Sequence, residues 1–212
     1  MERLYHRHDP SIAGAIYVEI DKHKTTNLDL IHKIFLAAQS FGYVSYIEMV
    51  TVSAGGDAFR KSFNVQETRT LASHNQMKVT TSHPTEDLVS FIEQNGDITE
   101  MHIDLGTTCY NDNFEWEVFG EAITLSFYTE ADGEDWGLYI KVNTDIFVPF
   151  RWIRDKRTEE MARMNAPKLK QLIQEIISLL PITQWEWEEY KDFVIAYLEG
   201  NMFASDNKIS HL

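Results

Sequence analysis

Asp132-Gly133 lies between two runs of largely alternating apolar and polar side chains, "FEWEVFGEAITLSFYTE" before it and "DWGLYIKVNTDIFVP" after it. An Asp-Gly pair in that setting is the strongest short signal for a β-hairpin, because both residues tolerate the positive φ of a tight turn. Ile123, Leu125 and Phe127 then share one face of the first arm, and Leu138, Ile140 and Val142 one face of the second. The middle of the chain is thereby committed to antiparallel pairing, with an apolar face that something must cover.

The segment before it has a different grammar. "GAIYVEID" alternates, with Ile16, Val18 and Ile20 on one side, and predicts a strand. In "NLDLIHKIFLAAQSFG", Leu30, Ile31, Ile34, Phe35 and Ala38 recur at helical spacing, with Asn27 as N-cap, Asp29 in the first turn and Gly42 as the left-handed stop. A strand over about 43–53 follows. The order then recurs as strand "MKVTT", helix "HPTEDLVSFIEQNG" ending at Gly96, and strand "DITEMHIDLG". Pro84 suits a first helical turn, and Glu86 and Asp87 suit the positive end of the helix dipole.

After the hairpin, "RTEEMARMNAPKLKQLIQEIISLLP" predicts a short helix, a break at Asn165-Ala166-Pro167, and a longer helix with Leu169, Leu172, Ile173, Ile176 and Leu180 as its apolar stripe. "TQWEWEEYKDFVIAYLEG" predicts a last helix, with Trp187, Tyr190, Val194 and Tyr197 inward and Trp185 exposed. No Pro/Gly/Ser-rich linker divides the chain. The expectation is an α+β fold: one domain over 1–204, flexible ends at 1–10 and 205–212, and a mixed or largely antiparallel sheet. Two N-terminal β-α-β-like units and the hairpin build that sheet, and C-terminal helices cover it.

Charge is distributed unevenly along this scaffold. Between Lys78 and Lys141 there is no Lys or Arg, and those residues hold fourteen of the 33 acidic side chains. The remainder balances, so the whole formal charge of −14 resides in residues 79–140. Such a chain repels nucleic acid and anionic lipid and attracts cationic proteins. It also has no apolar run of membrane-spanning length. The start "MERLYHRHDP" is not a secretory signal. A single cysteine, Cys109, permits no internal disulfide and suits a reducing cytoplasm.

Few motifs carry chemistry. "TEADGEDWG" lacks the ligand order of a calcium loop. His6 and His8 have no cysteine pair beside them. His102 and Asp104 share a strand face with Cys109 shortly beyond, but an acidic neighbourhood raises a thiol pKa, so a structural histidine and a half-buried cysteine are expected. From 151 to 170 seven basic residues face Asp155, Glu159 and Glu160; with no phosphate motif, that patch is expected to fold back onto the chain's own carboxylates, with Trp152 in a cation–π contact.

These observations favour a non-catalytic cytoplasmic protein, without cofactor or metal, that binds a basic protein partner. An immunity protein that neutralises a bacterial toxin is an example. The candidate contact residues are Glu115 and Glu117, expected together on one strand face, with Glu121, Glu130, Asp132, Glu134, Asp135 and Trp136. Two alternatives remain open: a carboxylate- or metal-dependent hydrolase with a site near Asp104, Glu115 and Glu117, and a secretion chaperone or adaptor. Oligomeric state is not legible.

Overall fold

The computed structural model describes residues 14–63, 65–71, 77–82, 85–111, 113–129, 135–147 and 156–189. Seven strands form one sheet: β1 (Ala15–Asp21), β2 (Tyr43–Val52), β3 (Ala58–Phe63), β6 (Asp97–Tyr110), β7 (Trp116–Thr129), β8 (Asp135–Val142) and β9 (Ile182–Glu189). Their order is β3-β2-β6-β7-β8-β1-β9, and every adjacent pair is antiparallel. A separate two-stranded ribbon pairs β4 (Gln66–Leu71) with β5 (Met77–Ser82). The helices are α1 (Asn27–Phe41), α2 (Thr85–Asn95) and α3 (Lys156–Leu179).

The antiparallel pair predicted on either side of Asp132-Gly133 is present as β7 and β8, paired from Ile123↔Val142 to Thr129↔Trp136; the turn residues themselves lie outside the described residues. Its apolar face, Ile123, Leu125, Phe127, Leu138, Ile140 and Val142, is buried together with Ile16, Val18 and Ile20 of β1. Each such side chain stabilises the fold by about 1.5–3 kcal/mol relative to an exposed position. Leu30, Ile34, Ala38 and Phe41 of α1 join Leu169, Leu172, Ile173 and Ile176 of α3 in the same core. Leu88, Phe91 and Ile92 of α2 complete it, with Phe91 edge-on to Phe63 of β3. The first β-α-β unit is a wide one: β1 and β2 run parallel but stand four places apart in the sheet, with β8, β7 and β6 between them. The second is not a single-sheet unit, because β5 belongs to the ribbon.

Several local expectations are corrected. Thr26, not Asn27, caps α1, its Oγ1 accepting the Asp29 amide at 3.2 Å. Gly42 is not left-handed: its φ is 170°. It is glycine because a Cβ there would collide with the main chain of Gly106 and Thr107. Gly96, at the matching junction, does adopt a positive φ of 97°. The Asn165-Ala166-Pro167 break does not occur; α3 runs through Pro167. "ITQWEWEE" is strand β9 and not the start of a helix, because period-2 alternation and pairing with β1 outweigh its helix-forming glutamates. Trp185 therefore stands opposite Val18 and packs on the core, half-buried. The proposed inward residues Tyr190, Val194 and Tyr197 lie outside the described residues, as does Trp152. Strands β3 and β4 were not legible in advance: β3 is exposed at all but Phe63 and shows no alternation of burial.

Candidate functional site on the sheet face opposite the helices

β6 and β7 are longer than their neighbours, and that length separates the acidic residues. β2 pairs with β6 only as far as Gly106, and β8 with β7 only as far as Ile123. Beyond them β6 and β7 continue alone as an arm, paired from Thr107↔Phe119 to Tyr110↔Trp116. On the edge of β6 that β2 vacates, α3 supplies the missing partners. Asn165 accepts the Tyr110 amide at 2.9 Å and donates to the Tyr110 carbonyl at 2.8 Å, while Lys168 Nζ reaches the Thr108 carbonyl at 2.5 Å and Thr107 Oγ1 at 3.2 Å. Lys168 thus meets a carbonyl, a hydroxyl and, at 5.6 Å, the ring of Trp116. The carboxylates expected for it are not its partners.

Glu115 sits in the arm's turn and not on a strand, its main chain bonded to Asn111. The preceding Phe114 is exposed, with a φ of 59°. Glu117 is half-buried and accepts Asn111 Nδ2 at 3.3 Å; Glu121 is exposed, with a φ of 51°. Asp135 and Trp136 of β8 lie beside the other end of β7, about 40 Å from Glu117 and about 26 Å from Glu121 at strand rise. Trp136 is 8 % exposed and belongs to the core, which removes it from any contact surface. Glu130, Asp132 and Glu134 lie outside the described residues. Contiguity in sequence has thus become positions spread along one long strand.

A larger surface arises from side chains that sequence reading treated as the polar half of an alternation or, on β3 and β9, did not place on a strand. With the helices on one side of the sheet, the opposite parity of each strand points away from them. Registers align these residues into three rows. The first runs Arg60, Val50, Glu100, Tyr128, Gly137, Glu19, Gln184; the second runs Ser62, Glu48, His102, Ser126, Tyr139, Tyr17, Glu186. The third contains Tyr46, Asp104, Thr124 and Lys141. Seven strands span about 29 Å. Among these three rows only Gly137 and Ser126 are buried; the rest are half-buried or exposed.

Tyr139 occupies the middle of an aromatic group, 5.4 Å from the Tyr17 ring and stacked 5.6 Å from the Tyr128 ring. Tyr128 lies flat over Gly137, where any Cβ would meet its ring. Lys141 Nζ stands 5.8 Å from the Tyr139 ring centroid, so this group already holds one ammonium. Within these three rows five acids, Glu19, Glu48, Glu100, Asp104 and Glu186, stand beside two bases, Arg60 and Lys141. Arg60 is engaged by Glu48 at 3.0 Å and Glu100 at 3.6 Å. Glu19 accepts Thr183 at 2.9 Å, and Glu186 is exposed.

Hydrogen bonds brace the centre. Asn143 donates to Thr124 Oγ1 at 2.7 Å, which donates to Asp104 at 2.5 Å. His102 Nδ1 meets Ser126 Oγ at 3.1 Å. With Glu48 next in register, that row has the residue types of a nucleophile, a base and an acid. The geometry does not join them: Glu48 is turned to Arg60, Tyr46 and Ser62, and Ser126 is only 5 % exposed. Cys109 lies on the helix side, 1 % exposed, and burial pushes its thiol up to about 12, so it pairs with neither His102 nor a substrate. Asp104 stands roughly 20 Å along the strands from Glu117. Among the described residues no three His, Cys, Asp or Glu side chains are grouped to hold a metal ion. None of the described helices is long and apolar enough to cross a membrane.

The chain matches no family model and no curated protein.

Proposed function

We propose that the protein is a non-catalytic binding protein that engages a basic protein partner through the face of its sheet opposite the helices. The observation that carries this reading is the ring-to-ring group of Tyr17, Tyr139 and Tyr128 bordered by Glu19, Glu100 and Glu186. Large, half-exposed aromatic side chains held rigidly by a sheet are the usual anchors of protein interfaces, since little side-chain entropy is lost when they are covered. The acid excess around them favours a cationic surface and speeds its approach. At about 29 Å wide, the face matches a partner patch of roughly 800 Å². An inhibitor of a nuclease toxin suits these physics, because a cleft built for phosphate is basic and an acidic platform competes for it. Residence in the cytoplasm, where a lone cysteine stays reduced, belongs to the same proposal.

Affinity capture from the native host at low and high salt tests it, with wild type beside Tyr139→Ala and Glu19→Gln/Glu186→Gln. A basic protein that wild type retains at low salt, releases at high salt, and that both variants fail to retain supports the reading. Equal retention by all three proteins, or insensitivity to salt, contradicts it.

A further inference from the structure

α1 carries more apolar surface than the sheet uses. Leu30, Ile34, Ala38 and Phe41 face the core, but Leu28 and Leu36 remain 40 % and 42 % exposed on another side of the helix. These two leucines, with Ile31, His32 and Phe35, form one wall of a groove whose other wall is Leu88 and Val89 of α2. The groove has a volume of 320 Å³ and follows α1 from Leu28 to Gln39, about 16 Å at helical rise. It lies on the helix side, away from the tyrosine face.

Among the described residues the α2 side of the rim is acidic. α2 belongs to the segment without Lys or Arg, so its charges are all carboxylates. Glu86 and Glu93 stand three residues before and four after Val89, which places them on the same stripe, about 10 Å apart. Both are exposed, and neither forms a hydrogen bond or ion pair among the described residues. The nearest ammonium on α1, Lys33, is held by Asp29 at 2.7 Å. Among the described residues the groove thus combines an apolar floor, a helical length and an acidic border at Glu86 and Glu93, with the nearest β3 ammonium, Lys61, held over the Phe63 and Phe91 rings.

We infer that the α1–α2 groove is a docking site for a basic amphipathic helix of a partner protein, which sets apolar side chains between Leu36 and Val89 and places Lys or Arg against Glu86 and Glu93. This mode of recognition reads apolar anchors at helical spacing. It is independent of the tyrosine face, so either site can fail without the other.

The test is fluorescence anisotropy of the full chain with a fluorescein-labelled amphipathic peptide, leucines on one face and lysines flanking them, beside the same peptide with glutamate for lysine. The lysine peptide is expected to bind saturably and at least about tenfold more tightly than the glutamate peptide. Leu36→Asp and Val89→Asp should each weaken it by about tenfold or more, while Tyr139→Ala leaves it unchanged. Should either aspartate variant fail to fold, Glu86→Lys/Glu93→Lys, altered only at exposed positions, should weaken the lysine peptide and strengthen the glutamate peptide. No binding, equal binding of the two peptides, or wild-type binding by these variants overturns the inference. So does a concentration-dependent dimer that Leu36→Asp abolishes, since the occupant is then a second copy.

Discussion

The side-chain amide of Asn165 closes two hydrogen bonds on the main chain of Tyr110, at 2.9 and 2.8 Å, as the next strand of the sheet would. A third bond, from its Nδ2 to the Ile146 carbonyl at 3.0 Å, ties in the segment after β8. Asn165 is 2 % exposed, so its removal strands a buried amide and two carbonyls. Asn165→Ala should lower stability by about 2–4 kcal/mol, and Asn165→Asp, which cannot donate, by a similar amount. Urea unfolding checks both; a loss below about 0.5 kcal/mol contradicts the edge-sealing role of α3.

That residue also explains where sequence reading stops. Asn-Ala-Pro predicts a helix break from local propensity, yet Asn165 is directed off the helix to a strand 55 residues away. Pro167 is exposed, so the ring's interruption of the ladder faces water. The β7–β8 hairpin was legible because turn chemistry and alternation agree within a short window. β9 was not: its glutamates and tryptophans satisfy a helical stripe and an alternating strand alike, and only pairing with β1 decides. The candidate site follows the same division. The polar parity of β1, β7 and β8 could be read, but that Tyr17, Tyr139 and Tyr128 meet depends on those strands being neighbours, which one sequence does not reveal. The acidic segment could be read as a run of charge, whereas its spread along β7 is a matter of strand length.

Gly42 gives a second prediction. Gly42→Ala should destabilise the protein by about 1–3 kcal/mol, because the added methyl meets the main chain of Gly106 and Thr107, which cannot rotate away as a side chain can. Thermal and urea denaturation report it. A neutral result means that α1 and β6 separate more easily than their packing indicates.

Cys109 links burial to pH. Its folded thiol titrates near 12, above the 9.0 of an unhindered one, so between those values the unfolded chain gives up its proton first. Stability is therefore fully present below pH 9 and should fall above it by at most about 1.4 kcal/mol per pH unit. Cys109→Ala should flatten that part of the profile. At pH 8 a thiol reagent should label the native protein far more slowly than the urea-unfolded protein; equal rates contradict the burial.

The proposed partner surface predicts a division between Glu19 and Glu186 of the tyrosine face, contributed by β1 and β9 from outside the acidic segment, and Glu115 and Glu121 within that segment. The decisive measurement is the dissociation constant of the captured basic partner by titration calorimetry, at low and moderate salt, for wild type, Glu19→Gln/Glu186→Gln on the tyrosine face, and Glu115→Gln/Glu121→Gln on the arm. The account predicts that the face variant loses about tenfold or more in affinity and part of the salt dependence, while the arm variant stays within about twofold of wild type. Loss in the arm variant, with the face variant unchanged, would contradict it.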